Sequence, residues 1–318
     1  MSQSSPPEQH NVLDLVGRAL AQIRDLRNTE TVVMSDEIRS AASAQCIEIS
    51  RGKIHFELVG PEDGQVVVLL SGATLPMWVW DHTVQPLANA GFRVLRFNYF
   101  GRGYSDYPHE PNTAAFFNQQ IDEVVDRLKL RRPFHIVGLA FGGLIGVLYA
   151  EAAPKSVASL LLIAPDGMGT HLSPALSLTL TPGIGDYLFD LVGSDLLLQR
   201  MPTYSPNGVL VQELSNRLKE SFPIKGYKRC VLSSIREMPI HTAEGSYRAV
   251  AKQGTPTLVV WGRHDGTTPI SIMDVIKPTM PEADYRILET GHLPQYEHPN
   301  MFLEQAVPFL KSVADRKR

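Results

Sequence analysis

The chain has 318 residues, 43% hydrophobic and 20% charged, with 30 basic against 33 acidic side chains and a net charge of −3. This is the make-up of a folded globular protein long enough to bury most of the surface its unfolded chain exposes, and without a basic stripe nucleic acid is not an expected partner. No apolar run reaches the ~18 residues a bilayer span needs, the polar start MSQSSPPEQH is unlike a secretory leader, and Cys46 and Cys230 read as reduced thiols of a cytoplasmic protein.

Residues 10–43 carry helical periodicity, with Val12, Leu13, Leu15, Val16, Leu20 and Ile23 on one stripe. Residues 1–44 are therefore expected to be a helical extension packed on the core, a homodimer contact or a lid being its alternative roles. Strands begin at residue 45. The runs 45–50 and 53–59 flank a Ser50-Arg51-Gly52 turn and read as a hairpin. Buried-type strands follow at 65–70, 93–98, 134–137, 158–163, 257–261 and 284–288, with helices such as 122–130 and 144–150 between them. Alternating strands and helices predict an α/β fold: eight strands, mostly parallel, covered on both faces. Residues 166–252 break the rhythm, because they hold only helical pieces (175–180, 187–198, 210–218, 227–236). Some 85 residues are too many for a simple crossover. They read as a helical cap inserted into a core made of residues 45–165 and 253–318.

The stretch Val137-Gly138-Leu139-Ala140-Phe141-Gly142-Gly143 sits between an apolar strand and a helix. In that context G-x-S-x-G is a nucleophile elbow, and its glycines are needed because the turn brings backbone against backbone. Here the glycines are present and the central serine is Ala140. Asp265 follows the strand that ends at Trp261, at the sheet edge where open α/β sheets place their sites. His292, in Gly291-His292-Leu293, follows the last strand. Nucleophile position, acid and histidine thus occur in the order this elbow requires. His292 would act as general base and then general acid, with Asp265 fixing its tautomer. The amides of Ala73, in the stretch Leu69-Leu70-Ser71-Gly72-Ala73-Thr74 that follows a strand, and of Phe141 are the natural oxyanion donors.

Together these segments, with Asn98-Tyr99-Phe100-Gly101-Arg102-Gly103-Tyr104-Ser105-Asp106, resemble the α/β-hydrolase superfamily over residues 45–312, in its capped esterase, lipase and carbon–carbon hydrolase branch. The resemblance implies a cap-covered pocket and acyl-enzyme chemistry with no cofactor. Two loop positions depart from the family pattern. Ser71 stands where histidine is usual, and Asn98 where aspartate is. Ala140 departs differently, since it removes the attacking atom. The chain then reads as a serine hydrolase whose nucleophile has been exchanged for alanine, as a natural pseudoenzyme or ligand-binding receptor, or as an enzyme that uses His292 and Asp265 as a base alone.

His55, His82, His135, His171 and His241 lack ligand spacing, so no metal is expected. His264 and Arg102 read as loop residues. The apolar first half of the cap (Leu172, Leu176, Leu178, Leu180, Ile184, Leu188, Phe189, Leu191, Leu196–Leu198) suggests an apolar acyl group on an ester or lactone, with a diketone carbon–carbon bond as the alternative. Thr74, Trp78 and Leu293 are the expected substrate contacts, and Met77 and Trp80 could add to the apolar wall.

Overall fold

The structure, a computed structural model, describes residues 29–169, 177 and 180–315. Its strands are β1 (Cys46–Ile49), β2 (Gly52–Val59), β3 (Val66–Leu70), β4 (Arg93–Phe97), β5 (Phe134–Leu139), β6 (Val157–Ile163), β7 (Thr257–Gly262) and β8 (Asp284–Leu288). They form one sheet in the order β1-β2-β4-β3-β5-β6-β7-β8. The β1–β2 and β2–β4 pairs are antiparallel and every other pair is parallel. This is the eight-stranded, mostly parallel sheet that the strand runs predict. The helices are α1 (Asp36–Ala41), α2 (Val84–Asn89), α3 (Ala114–Arg127), α4 (Phe141–Ala152), α5 (Ile184–Gln199), α6 (Gly208–Lys219), α7 (Tyr227–Glu237), α8 (Glu244–Lys252), α9 (Met273–Ile276), α10 (Pro294–Glu297) and α11 (Pro299–Asp315).

Alternation along the strands sends neighbours to opposite faces. Val66, Val68 and Leu70 join Ile136 and Leu160 under Phe117, Ile121 and Val124 of α3 and Leu144, Ile145 and Val147 of α4. Val67 and Leu69 join Val137, Leu139 and Val260 under Leu87 of α2 and Phe302, Ala306 and Leu310 of α11. That second core runs on into Phe189, Leu197, Leu214 and Val231 of α5, α6 and α7 without a break. Those three helices therefore share buried apolar contacts with the sheet domain.

The segment between β6 and β7 is helical where it is described, and α5, α6 and α7 include the pieces expected at 187–198, 210–218 and 227–236. Most of the expected 175–180 helix lies outside the described residues. The boundary at 252 needs correction. Tyr247 and Val250 of α8 are fully buried in the core under α4, so α8 belongs to the sheet's helical layer and the cap ends before residue 244. The apolar stripe of the N-terminal extension, Val12 to Ile23, also lies outside the described residues. The residues from Glu30 to Arg39 tie cap to core. Val32 exchanges backbone hydrogen bonds with Pro223 and Lys225, both 2.8 Å. The Glu30 carboxylate accepts from the Gly226 and Lys228 amides at 2.8 and 2.7 Å. Arg39 of α1 donates to the Tyr104 carbonyl at 2.9 Å and pairs with Asp106.

Candidate active site

The turn between β5 and α4 decides the site's shape. Ala140 has φ 48° and ψ −110°, a backbone region that side chains other than glycine avoid. Two contacts hold it there: its N–H donates to the Ile163 carbonyl at 2.8 Å, and its own carbonyl accepts from the Asp166 amide at 3.1 Å. The flanking glycines are steric necessities. A β-carbon on Gly138 would run into the Gly142 carbonyl, and one on Gly142 into the Leu70 carbonyl. The turn thus lifts the Ala140 methyl into a cavity of about 260 Å³.

That cavity is also lined by Ala73, Thr74, Phe141, Asp166, Arg200, Tyr204 and His292. His292 Nδ1 lies 2.6 Å from Asp265 Oδ2, and both side chains are almost wholly buried. The other carboxylate oxygen of Asp265 accepts from the amides of Thr267 and Thr268, each 2.8 Å. An ionised carboxylate can only accept, so it fixes the proton on Nδ1 and leaves Nε2 as the ring's acceptor. The His292 backbone is held as well, since its N–H donates to the Tyr204 carbonyl at 2.7 Å. The Tyr204 ring meets the imidazole edge-on at 5.1 Å.

The loop that follows β3 is clamped from outside through its carbonyls. Tyr99 Oη donates to Ser71 O at 3.2 Å, Arg102 Nε to Ala73 O at 2.7 Å, and Tyr227 Oη to Thr74 O at 3.0 Å. Arg102 is 1% exposed and its remaining partners are neutral, the Gly101 carbonyl and Ser234 Oγ on α7. Neither the Ala73 nor the Phe141 amide donates to another described group. Both residues line the cavity. Asn98, which stands at the family's aspartate position, accepts from the Met77 amide at 2.7 Å and donates to His55 Nδ1 at 2.8 Å. Burial, with Arg96 and Arg39 nearby, pushes the His55 imidazole down to about 4.

Of the expected substrate contacts, Thr74 lines the cavity, where its Oγ1 is 3.3 Å from the Tyr204 hydroxyl. Trp78 and Leu293 do not reach it. Trp78 lies under the Arg217 guanidinium, 4.2 Å from its ring, and beside Tyr296, on the wall of a separate cleft that Met77 shares. Leu293 is fully buried in the core beneath α11, and Trp80 is fully buried too. His264 is half-exposed, 3.4 Å from Glu289, and takes no part. Among the described residues no cluster of three or more His, Cys, Asp or Glu could hold a metal, and no helix is long and apolar enough to cross a membrane. The sequence reading missed Asp166, Arg200 and Tyr204. Asp166 lies three residues past the β6 end and was within reach of the rule that sites lie at strand C-termini. The other two sit in the cap with no local signal.

The family model for the alpha/beta hydrolase fold matches residues 65–299. The chain belongs to that family. It is 25% identical over 284 residues to a 2-hydroxy-6-oxononadienedioate/2-hydroxy-6-oxononatrienedioate hydrolase of Cupriavidus pinatubonensis, spanning 86% of this chain and 97% of the relative. Among solved structures, it resembles a serine-to-alanine mutant of a meta-cleavage product hydrolase from Pseudomonas fluorescens, crystallised with acetates. The TM-score is 0.69 at 20% identity, covering 84% of this chain and 97% of the other. An enol-lactonase from Burkholderia xenovorans superposes with TM-score 0.68 at 20% identity, covering 84% and 100%. At that identity the likeness is one of fold.

Proposed function

We propose that this site is that of a serine hydrolase acting on a small carboxylic ester or lactone, in a form whose nucleophile position holds alanine. The observation that carries the reading is Ala140 itself. It keeps a strained backbone whose use is to present one side-chain atom to a base, and that base, His292, is locked by Asp265 with Nε2 free to accept. With serine at 140, the hydroxyl proton passes to His292 Nε2 as the oxygen attacks the substrate carbonyl. The Ala73 and Phe141 amides hold the oxyanion. The imidazolium then protonates the leaving alcohol, and water activated by the same ring releases the acid. As it stands, the chain binds such a substrate without forming an acyl-enzyme.

A second reading, hydrolysis of a carbon–carbon bond next to a carbonyl, uses the same groups. Two observations favour it: the dienedioate named for the curated relative, and the Arg200 guanidinium, which lines the cavity and makes no ion pair with a described residue, so that it is free for a carboxylate.

The test is Ala140→Ser. Loss of a triad serine costs about 10⁶ in kcat, so the substitution is expected to raise turnover of phenyl butanoate by several orders of magnitude and to create fluorophosphonate labelling at residue 140. His292→Ala in that background is expected to abolish both. A folded Ala140→Ser protein that neither labels nor cleaves esters, lactones or diketones leaves the pseudoenzyme reading in its place.

A further inference from the structure

One ionisable group in the cavity has no part in the chemistry above. Asp166 follows Pro165 at the C-terminal end of β6, and its amide donates to the Ala140 carbonyl. Its backbone is fixed on every side. Tyr247 Oη donates to its carbonyl at 2.5 Å, while the next residue, Gly167, exchanges hydrogen bonds with Ile240 and Ala243, both 2.9 Å. The carboxyl faces the cavity and makes no hydrogen bond or ion pair with a described residue. Arg200 lines the same cavity but makes no ion pair with Asp166. The residue is half-buried, so its carboxyl is under-solvated and gains from a hydrogen-bond donor that a ligand brings into the cavity.

We infer that Asp166 selects substrates carrying a hydroxyl group beside the reacting carbonyl. The inference rests on the hydrolase reading and refines it. The acyl part is expected to be apolar along Leu75, Leu139, Ile235 and Ile240, but polar at the carbon next to the carbonyl, where Asp166 lies one hydrogen bond from the nucleophile turn. A substrate lacking the hydroxyl leaves the carboxyl unpaired in the closed complex. A site built to bond a substrate hydroxyl rejects the analogue without it far more strongly than an apolar pocket rejects a missing methylene. The group's titration agrees. Burial pushes the Asp166 carboxyl up to about 6, against the opposing pull of His292 and Arg200 and with a further push from Asp265. It is therefore an ionised acceptor at pH 8.

Because this chain has Ala140, binding can be read without turnover. Calorimetric titration at pH 8 would use two matched pairs: phenyl 2-hydroxybutanoate against phenyl butanoate, and 1-hydroxy-4-phenylbutan-2-one against 4-phenylbutan-2-one. The hydroxylated member is expected to bind at least about ten-fold more tightly. Asp166→Leu is expected to remove that preference, weakening the hydroxylated member and tightening the plain one, whose binding also shows that the variant is folded. Asp166→Asn, which keeps an acceptor, is expected to retain part of it. A preference seen with the ketones when neither ester binds supports the role of Asp166 and sinks the ester reading. Equal binding within both pairs, or a preference that survives Asp166→Leu, overturns the inference and leaves the ester reading standing if the esters bind. If none of the four binds, both fall.

Discussion

Ala140 shows how much of a site can be stored in one backbone conformation. A positive φ with a β-carbon costs about 1–3 kcal/mol, and here no catalytic hydroxyl draws on it. Glycine would remove the clash at the expense of some unfolded-state entropy. Ala140→Gly is therefore expected to stabilise the fold by about 1 kcal/mol, read as a melting temperature raised by about 2 °C. An unchanged or lower value would mean that the turn is not strained. The same residue was fully legible in the sequence, because the glycines at 138, 142 and 143 are demanded by the turn whatever stands between them. Trp78 and Leu293 were not legible. Each follows a recognisable motif, but the direction its side chain takes is set by partners far along the chain. Arg217 and Tyr296 draw Trp78 to another cleft, and the core beneath α11 takes Leu293. Arg102 was readable as a loop residue from its two flanking glycines. Its grip on the Ala73 carbonyl was not, because nothing local encodes it.

Among the elements, α7 joins the cap to everything else. Its Tyr227 holds the loop after β3, its Ser234 meets Arg102 and Asn112, and its Lys228 pairs with Asp190 of α5 at 3.1 Å. Its first turn begins at Gly226 with no side-chain cap of its own. Glu30 supplies that cap from nearly two hundred residues away, bringing a negative charge to the positive end of the helix. Glu30→Ala is expected to destabilise by about 1 kcal/mol and to speed amide hydrogen exchange at Gly226 and Lys228, with exchange in β5 and β6 unchanged. Equal exchange at those two amides would show that the cap is dispensable. The central strands β3, β5, β6 and β7 were readable as elements because their apolar runs are buried on both faces. The cap's end was not, since amphipathic α8 looks the same in sequence whether its apolar face meets the cap or α4.

At the scale of the whole molecule, two half-buried groups give stability opposite slopes with pH. His55 is held down near 4, below its ordinary 6.5, so the stability tied to its neutral form is complete above 6.5 and is lost as pH falls through 4. Asp166 is held up near 6, above its ordinary 3.8, so the stability tied to its neutral form is complete below 3.8 and is lost as pH rises through 6. Between pH 4 and 6.5 the two oppose each other. Relative to the parent, Asp166→Asn is expected to melt higher at pH 8 and to lose that advantage on acidification, whereas His55→Gln is expected to lose less stability on the way to pH 4. Melting curves of the three proteins from pH 4 to 8 check both signs, and parallel curves would contradict the desolvation of these two groups.

The elbow has a genetic consequence as well. Every alanine codon becomes a serine codon when its first base changes from G to T. Under the reading proposed above, the turn at residue 140 already has the backbone that a nucleophile needs, and no compensating change elsewhere is expected to be required for the hydroxyl. On the same reading, a chain that retains its ligand and one that cleaves it are separated by one oxygen atom in the protein and one base in the gene.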